Sequence, residues 1–145
     1  MKKYLKILLL LVMVVSVLCT SVSALTYSSE YIMAVRAYVS QGDSGELTVH
    51  FQIIGMDTMD TIGAKTITVF ELGGSTPSPA TDHIVKVFQS ATTPEMTVSG
   101  TFTYSGTVSF SAEAGVSYYA LVLFYAAKDG GSDSKPYITT ACKAS

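Results

Sequence analysis

Two stretches of the sequence alternate between apolar and polar residues with a period of two. From Leu47 to Ile53 apolar residues occupy the odd positions and polar residues the even ones, which places His50 on the solvent side. Between Met96 and Ala112 apolar residues or glycine occupy the even positions, and Ser or Thr occupies the odd ones. Side chains of a β-strand point alternately to the two faces of a sheet, whereas a helix repeats about every 3.6 residues. Both stretches therefore predict strands with one face in a hydrophobic core.

The longer stretch also predicts a turn, because facing residues of an antiparallel hairpin must lie on the same side of the sheet. A two-residue turn at its centre would set Phe102 against a serine and break that rule. A three-residue loop of Tyr104, Ser105 and Gly106 pairs Phe102 with Val108 instead, and Gly106 tolerates a positive φ. If the two halves of the stretch are neighbours, we expect that loop.

Eleven glycines divide the chain beyond residue 41 into short segments rich in Thr, Val, Ile, Tyr and Phe. These segments read as strands, and no amphipathic helical stretch separates them. Seven or eight strands indicate one all-β domain over residues 25–145, built as a two-sheet sandwich or a small barrel. The segment 76–82 contains two prolines and is expected to be a loop. Further strands are predicted at 31–40, 66–72, 83–88, 117–127 and 137–141.

The first 24 residues have the order of a signal peptide. Lysines open the chain, Ile7 to Leu18 is apolar except for one serine, and Val22-Ser23-Ala24 supplies the small residues of a cleavage site between Ala24 and Leu25. The apolar run has twelve residues, whereas a membrane-spanning helix needs about 20. A retained anchor stays an alternative, and acylation of Cys19 is disfavoured by the leucine before it. We expect an extracellular protein without a stable membrane anchor after cleavage.

The charge of the chain excludes several classes of partner. Three of the nine Lys and Arg residues precede residue 25, so six face eleven Asp and Glu in the remainder, and Arg36 is the single arginine. Neutralising a phosphate backbone requires a cluster of basic residues, so nucleic acid is not expected as a partner. The same shortage disfavours anionic lipid. Cys142 is the one cysteine beyond the leader, and we interpret it as a tolerated tail residue, with an intermolecular disulfide as the alternative.

Residues 113–124 resemble the corner that precedes strand F in immunoglobulin-like and fibronectin type III sandwiches. The resemblance implies that Gly115 makes the turn and that Tyr118 is the corner tyrosine, with a buried ring and a hydroxyl bonded to upstream backbone. It further implies that 128–136 is the loop between strands F and G, and that 137–141 is strand G. The match lacks the Trp and the cysteine pair of antibody domains.

Over the chain beyond the leader, the sequence is also similar to a family of small secreted proteins of unknown function from Gram-positive Firmicutes. That resemblance implies a source and an architecture and no activity. The similar stretches are 27–31, 45–49, 59–64 and 114–126.

Few residues are candidates for chemistry. His50 and His83 have no local partner at metal-ligand spacing, so no catalytic or metal role is expected for them. Several acidic residues suggest calcium binding or glycoside hydrolysis as alternatives. Roles in turns and caps explain the same residues equally well. No cofactor is expected. The acidic candidates are Asp57 with Asp60, Glu71 alone, and Asp129 with Asp133.

Three functions remain open at this point. Compartment and scaffold favour a secreted, non-enzymatic module that binds a protein or glycan partner through a surface patch. A small secreted hydrolase is the first alternative, and it requires two carboxylates about 5–10 Å apart in a concave site. A structural or assembly protein joined through strand edges or Cys142 is the second. The tyrosines able to offer a sugar platform are Tyr27, Tyr31, Tyr38, Tyr119, Tyr125 and Tyr137.

Overall fold

The computed structural model describes residues 29–145. The expected leader, its cleavage point at Ala24 and Leu25, and Tyr27 lie outside the described residues. Apart from one 3₁₀ turn at Pro94–Met96, the regular structure of residues 29–145 is β-strand. The strands are β1 (Ile32–Gln41), β2 (Glu46–Met59), β3 (Thr61–Glu71), β4 (His83–Gln89), β5 (Thr97–Val98), β6 (Thr101–Ser111), β7 (Ser117–Lys128), β8 (Gly131–Ile138) and β9 (Cys142–Lys143).

The strands form two antiparallel sheets that pack face to face. The small sheet has the order β1-β2-β6, and the large sheet has the order β4-β3-β7-β8, with β5 beside β3 and β9 beside β7. Alternate residues of both sheets point inward and form one core, which confirms the predicted all-β sandwich. Each large apolar side chain that is fully buried contributes about 1.5–3 kcal/mol to folding. Fully buried members of the core include Leu47, Val49, Ile53, Ile67, Val69, Val122 and Phe124.

The predicted hairpin at residues 104–106 is wrong. β6 continues through this position and pairs with β2 on both sides of it, so Gly106 lies opposite Phe51 in the middle of a strand. The glycine is needed for space, because a Cβ there would lie 3.0 Å from both Cε atoms of the Phe51 ring and nearer still to its Cζ. On the other side, Phe51 is opposite Ala37, another small residue. The ring of Phe51 thus occupies the room that its two neighbours leave free.

The predicted loop at 128–136 is also wrong, and the strand predicted at 137–141 overlaps β8 only at Tyr137 and Ile138. β8 already begins at Gly131, and a two-residue turn of Asp129 and Gly130 joins it to β7. Both turn residues have positive φ, 51° and 82°, which is the geometry of a type I′ hairpin turn. Pro136 lies inside β8, an outer strand of the large sheet. A proline is tolerated there because an outer strand has a neighbour on one side only and does not need every N–H for the sheet.

The two lateral sides of the sandwich differ. On one side, Asp133 of β8 accepts hydrogen bonds from Ser29 Oγ at 2.7 Å and from the Tyr31 backbone N–H at 3.1 Å, which ties the start of β1 to the large sheet. On the other side, β4 and β6 are the outer strands of their sheets, and a crevice of about 290 Å³ lies between Val85 and Phe110. The first side is therefore joined by hydrogen bonds at the start of β1, whereas on the second side a crevice separates β4 from β6 near Val85 and the Tyr104 hydroxyl donates to the Glu95 carbonyl elsewhere along β6.

Candidate functional site

The solvent face of the small sheet carries two rows of polar and aromatic side chains. Antiparallel register sets one residue from each of the three strands side by side in each row. All six side chains point outward because their neighbours along each strand point into the core. The first row is Arg36, Gln52 and Ser105, and the second row is Tyr38, His50 and Thr107.

The two aromatic rings of the second row hold each other in place. Tyr38 and His50 stack with ring centroids 4.5 Å apart and planes 9° from parallel. That separation is close to the ~4.8 Å between neighbouring strands, so both rings stand upright from the sheet and face each other across the strand gap. His50 Nε2 also shares a hydrogen bond of 2.8 Å with Ser40 Oγ. The imidazole is therefore held from two directions before any ligand arrives.

Small residues on β6 leave a depression next to the stacked rings. It measures about 460 Å³, within the ~300–1,000 Å³ usual for ligand sites, and is open to solvent. We call it the notch; the six side chains of the two rows surround it. The chain at Phe51 and Gly106, between the rows, lines its floor. Because the Phe51 side chain points into the core, that floor is made largely of backbone.

The chemistry of the notch is that of a hydrogen-bonding site. It offers a guanidinium, a phenol, an imidazole, a carboxamide and two hydroxyls. Arg36 also lies beside the aromatic pair, with Cζ 5.8 Å from the Tyr38 ring centroid. No Asp or Glu is among the residues that line it. Such a set can bind a ligand rich in hydroxyl or carboxylate groups, and it provides no paired carboxylates.

The structure separates the five candidate tyrosines that lie within the described residues. Tyr38 is 45% exposed and belongs to the notch, whereas Tyr119 is fully buried. The other three are half-buried and do not line the notch: Tyr31 lies just before β1, Tyr125 on β7 and Tyr137 on β8. Only Tyr38 among the described candidates therefore has both the exposure and the neighbours of a ligand-binding aromatic residue.

The two histidines lie on different sheets. His50 is in the notch, while His83 is exposed at the start of β4, opposite Glu71 at the end of β3. Between residues 29 and 145, no three His, Cys, Asp or Glu side chains come together in a way that would hold a metal ion. The structure thus brings His50 to a candidate site and leaves His83 and Glu71 at a strand end.

Three of the candidate acids gather around one lysine. Lys128 Nζ forms an ion pair with Asp57, and the Asp129 backbone N–H donates to Asp60 Oδ2 at 2.8 Å. The hydrogen bond from Lys128 holds the pKa of the Asp57 carboxyl below its usual range, and the same bond raises the pKa of Lys128. These contacts fasten the β2–β3 and β7–β8 turns to each other.

Asp133 lies apart from Asp129 and binds the start of β1, as described above. Its hydrogen bond from Ser29 holds the pKa of this carboxyl below the usual range. The two acids therefore do not act as a pair.

Tyr118 and Gly115 form a corner before β7. The Tyr118 ring is buried and meets Phe110 edge to face, with centroids 5.6 Å apart. Its hydroxyl accepts a hydrogen bond of 3.0 Å from the Glu113 backbone N–H, and Gly115 makes the intervening turn with φ of 87°. Cys142 is half-buried in β9, opposite Tyr118. The contacts at this end of the molecule are therefore ring packing, a backbone hydrogen bond and strand pairing.

Sequence reasoning missed the role of Asp82. The expected loop at 76–82 is a loop, and it folds over the outer face of the large sheet, where Phe70 and Tyr119 stack with centroids 5.2 Å apart. Asp82 Oδ2 accepts from Tyr119 Oη at 2.7 Å and from the Ser78 N–H at 2.8 Å, and Oδ1 accepts from the Gly73 N–H at 3.1 Å. The bond from Tyr119 lowers the pKa of Asp82, and burial, with that bond, raises the pKa of Tyr119 to about 12.

Comparison of the chain with protein-family models, with curated proteins and with solved structures finds no significant match. Within residues 29–145, no helix has the length and hydrophobicity needed to cross a bilayer.

Proposed function

We propose that the protein is an exported, non-catalytic binding module and that the notch is its saccharide-binding site. The observation that carries this proposal is the Tyr38–His50 stack beside a solvent-open depression ringed by uncharged hydrogen-bonding groups and one guanidinium. Saccharides present many hydroxyls and apolar C–H faces, so they are bound by side chains that combine aromatic surface with polar donors and acceptors. The fixed imidazole lowers the entropy lost on binding.

The scaffold is proposed to be immunoglobulin-like, of the fibronectin type III kind. In that arrangement β1, β2 and β6 correspond to strands A, B and E, and β4, β3, β7 and β8 correspond to C′, C, F and G. The bond between the Tyr118 hydroxyl and the Glu113 N–H, just before β7, supports the equivalence of β7 with strand F. Domains of this class commonly act as recognition modules, which is a fold-level analogy in favour of binding.

An extracellular location completes the proposal. It is supported by the basic start, the short apolar run and the small residues before Leu25. The Firmicutes family resemblance stays a prediction about source. Edman sequencing of material recovered from the culture medium of an expressing bacterium should begin at Leu25; retention of residues 1–24 in the membrane fraction would contradict export and cleavage.

Binding is tested by calorimetry with a panel of neutral and acidic oligosaccharides. Tyr38→Ala removes the aromatic wall and should weaken binding at least tenfold. Tyr125→Ala is the matched control, because Tyr125 is a partly exposed tyrosine on the large sheet, where its ring meets Lys65. It should keep the wild-type affinity. Absence of heat with every saccharide, or equal loss in both variants, would overturn the notch as a saccharide site.

Assembly through a strand edge is a second candidate function, and β4 is the observation that favours it. Ile84, Val85 and Val87 are 52%, 39% and 44% exposed on this outer strand, and no proline interrupts it. Unpaired edges with branched apolar side chains are prone to pair with another chain. Sedimentation velocity should then show oligomers that Val85→Lys disrupts. Monomers at high concentration, with no disulfide-linked dimer through Cys142 on non-reducing gels, would exclude this function.

A further inference from the structure

The notch contains one positively charged side chain, Arg36, on a protein that is acidic beyond residue 25. Beyond residue 25 the chain has eleven acidic and six basic residues, yet the notch holds the single arginine and one of the two histidines. No carboxylate lines it. A positive side chain without a carboxylate beside it favours ligands of complementary charge.

Acidic residues lie instead at both ends of the same sheet. Asp43 and Glu46 border the β1–β2 turn, and Asp57 and Asp60 lie at the opposite end of β2. The guanidinium of Arg36 thus lies about halfway along the strands of this sheet, with carboxylates beyond it towards either end. This distribution favours an anionic group over the notch centre and disfavours a long polyanion laid along β2.

Arg36 has no acidic partner among the described residues. The ion pair found between residues 29 and 145 joins Lys128 to Asp57, far from the notch. Arg36 is exposed, and its guanidinium leans towards the Tyr38 ring. A planar guanidinium presents a fork of donors that matches a carboxylate bidentately. The unpaired fork is therefore available to a ligand.

The dimensions limit the ligand to a small unit. The two rows are separated by two residues along each strand, roughly 6.6 Å, and the three strands span roughly 9.6 Å. An area of this size accommodates about one sugar ring with its substituents. Arg36 lies on β1 at one border, while Ser105 and Thr107 lie on β6 at the other.

We infer that the notch recognises an acidic saccharide, in which a sugar carboxylate pairs with Arg36 and the ring hydroxyls bond to Gln52, Ser105 and Thr107. This inference rests on the proposed saccharide-binding function and names its ligand class. The carboxylate binds at the β1 border, and the sugar ring lies over the backbone floor beside the free face of His50.

The test uses uronic acid oligosaccharides and their methyl esters, titrated into the purified protein in a calorimeter. Oligogalacturonate, hyaluronan oligosaccharides and oligomannuronate are the acids. Each ester keeps the size and hydroxyls of its acid and removes the charge. The best acid should bind at least tenfold more tightly than its ester. Added salt should lower this ratio of acid affinity to ester affinity, because salt screens the charge interaction.

Substitutions locate the effect. Arg36→Gln should reduce the ratio of acid to ester affinity to about one, and Arg36→Lys should leave an intermediate ratio because it keeps the charge and loses the fork. Lys135→Gln is the matched control, since it removes an equal charge from an exposed position on β8 and should leave the ratio unchanged. Thermal unfolding of each variant verifies that it is folded.

The outcomes separate the two proposals. If acids and esters bind equally and Tyr38→Ala still weakens their binding, the acidic ligand would be overturned and saccharide binding would stay in place. No binding by any saccharide would overturn both. Binding of poly-glutamate as tightly as the best uronate, with the same dependence on Arg36, would show that the notch reads carboxylates on peptides and would overturn the saccharide class.

Discussion

Replacing Gly106 by alanine tests the contact on which the centre of the small sheet depends. The substitution places a methyl group against the ring of Phe51, whose Cε atoms would both be 3.0 Å away. Phe51 is buried and also meets Tyr104 and Phe124 edge to face, so its ring has little room to retreat. Overpacking of this kind costs about 1–3 kcal/mol.

An opposite effect must be subtracted. Alanine restricts the unfolded chain more than glycine does, and within a strand this favours alanine by about 0.5–1 kcal/mol. Gly106 has no positive φ, so no backbone strain is added. The steric cost exceeds the entropic gain, and Gly106→Ala should lower the free energy of unfolding by about 1–2 kcal/mol, or roughly 4 °C in Tm per kcal/mol.

The assay is urea unfolding followed by far-ultraviolet circular dichroism, because the chain contains no tryptophan. Gly74→Ala is the control, since a Cβ there meets nothing within 4 Å, and it should change stability by less than about 0.5 kcal/mol. Phe51→Leu removes the obstructing atoms, so in that background Gly106→Ala should become neutral or stabilising, a coupling of at least about 1 kcal/mol. Additive effects, or a Gly106→Ala protein as stable as the wild type, would refute this account.

Three further changes have expected outcomes. Tyr118→Phe removes the acceptor of the Glu113 N–H and should cost about 1–2 kcal/mol in urea unfolding; an unchanged midpoint would mean that water replaces the bond. Gly130→Ala forces a left-handed φ of 82° on a residue with a Cβ and should cost about 1 kcal/mol, measured by thermal unfolding, whereas no loss would mean that the turn adopts another type. The hydrogen bond from Tyr119 is the main reason that the pKa of Asp82 lies below its usual value, so the stabilising contribution of this carboxylate is complete above the unfolded pKa and disappears as the pH falls through the lowered folded value. The stability difference between wild type and Asp82→Asn should therefore shrink in acid, and a difference that is constant with pH would contradict that assignment.

The sequence pattern predicted the sandwich but could not separate two arrangements at Gly106. A strand that continues and a strand that turns back through a three-residue loop both give Phe102 and Val108 positions of the same parity. The alternation is therefore identical in both cases. The deciding contact is with Phe51 on another strand, which no local pattern reports.

The turn between β7 and β8 was readable in the sequence. Asp129-Gly130 is the type of dipeptide that favours a type I′ turn, and it directly follows a strongly apolar strand. Gly131 and Pro136 are residue types that favour loops, and together they favoured a longer loop over this turn. Proline is compatible with an outer strand, so Pro136 did not exclude β8.

The notch was only partly predictable. Alternation placed His50 on the solvent face, and Tyr38 was among the tyrosines expected to reach solvent. Their stacking depends on the register of β1 against β2, and the contribution of Thr107 depends on β6 being the third strand. A period of two identifies the face of a residue and gives no information about its neighbour on another strand.

The paired main chains at Phe51 of β2 and Gly106 of β6 separate the notch from the core. Towards solvent this main chain forms the floor of the notch, and towards the interior it covers the aromatic rings of Phe51, Tyr104 and Phe124. A substitution in the interior that shifts this main chain will therefore change the shape of the notch. For the proposed ligand of the notch, affinity should consequently change on substitution of interior residues that never touch the ligand.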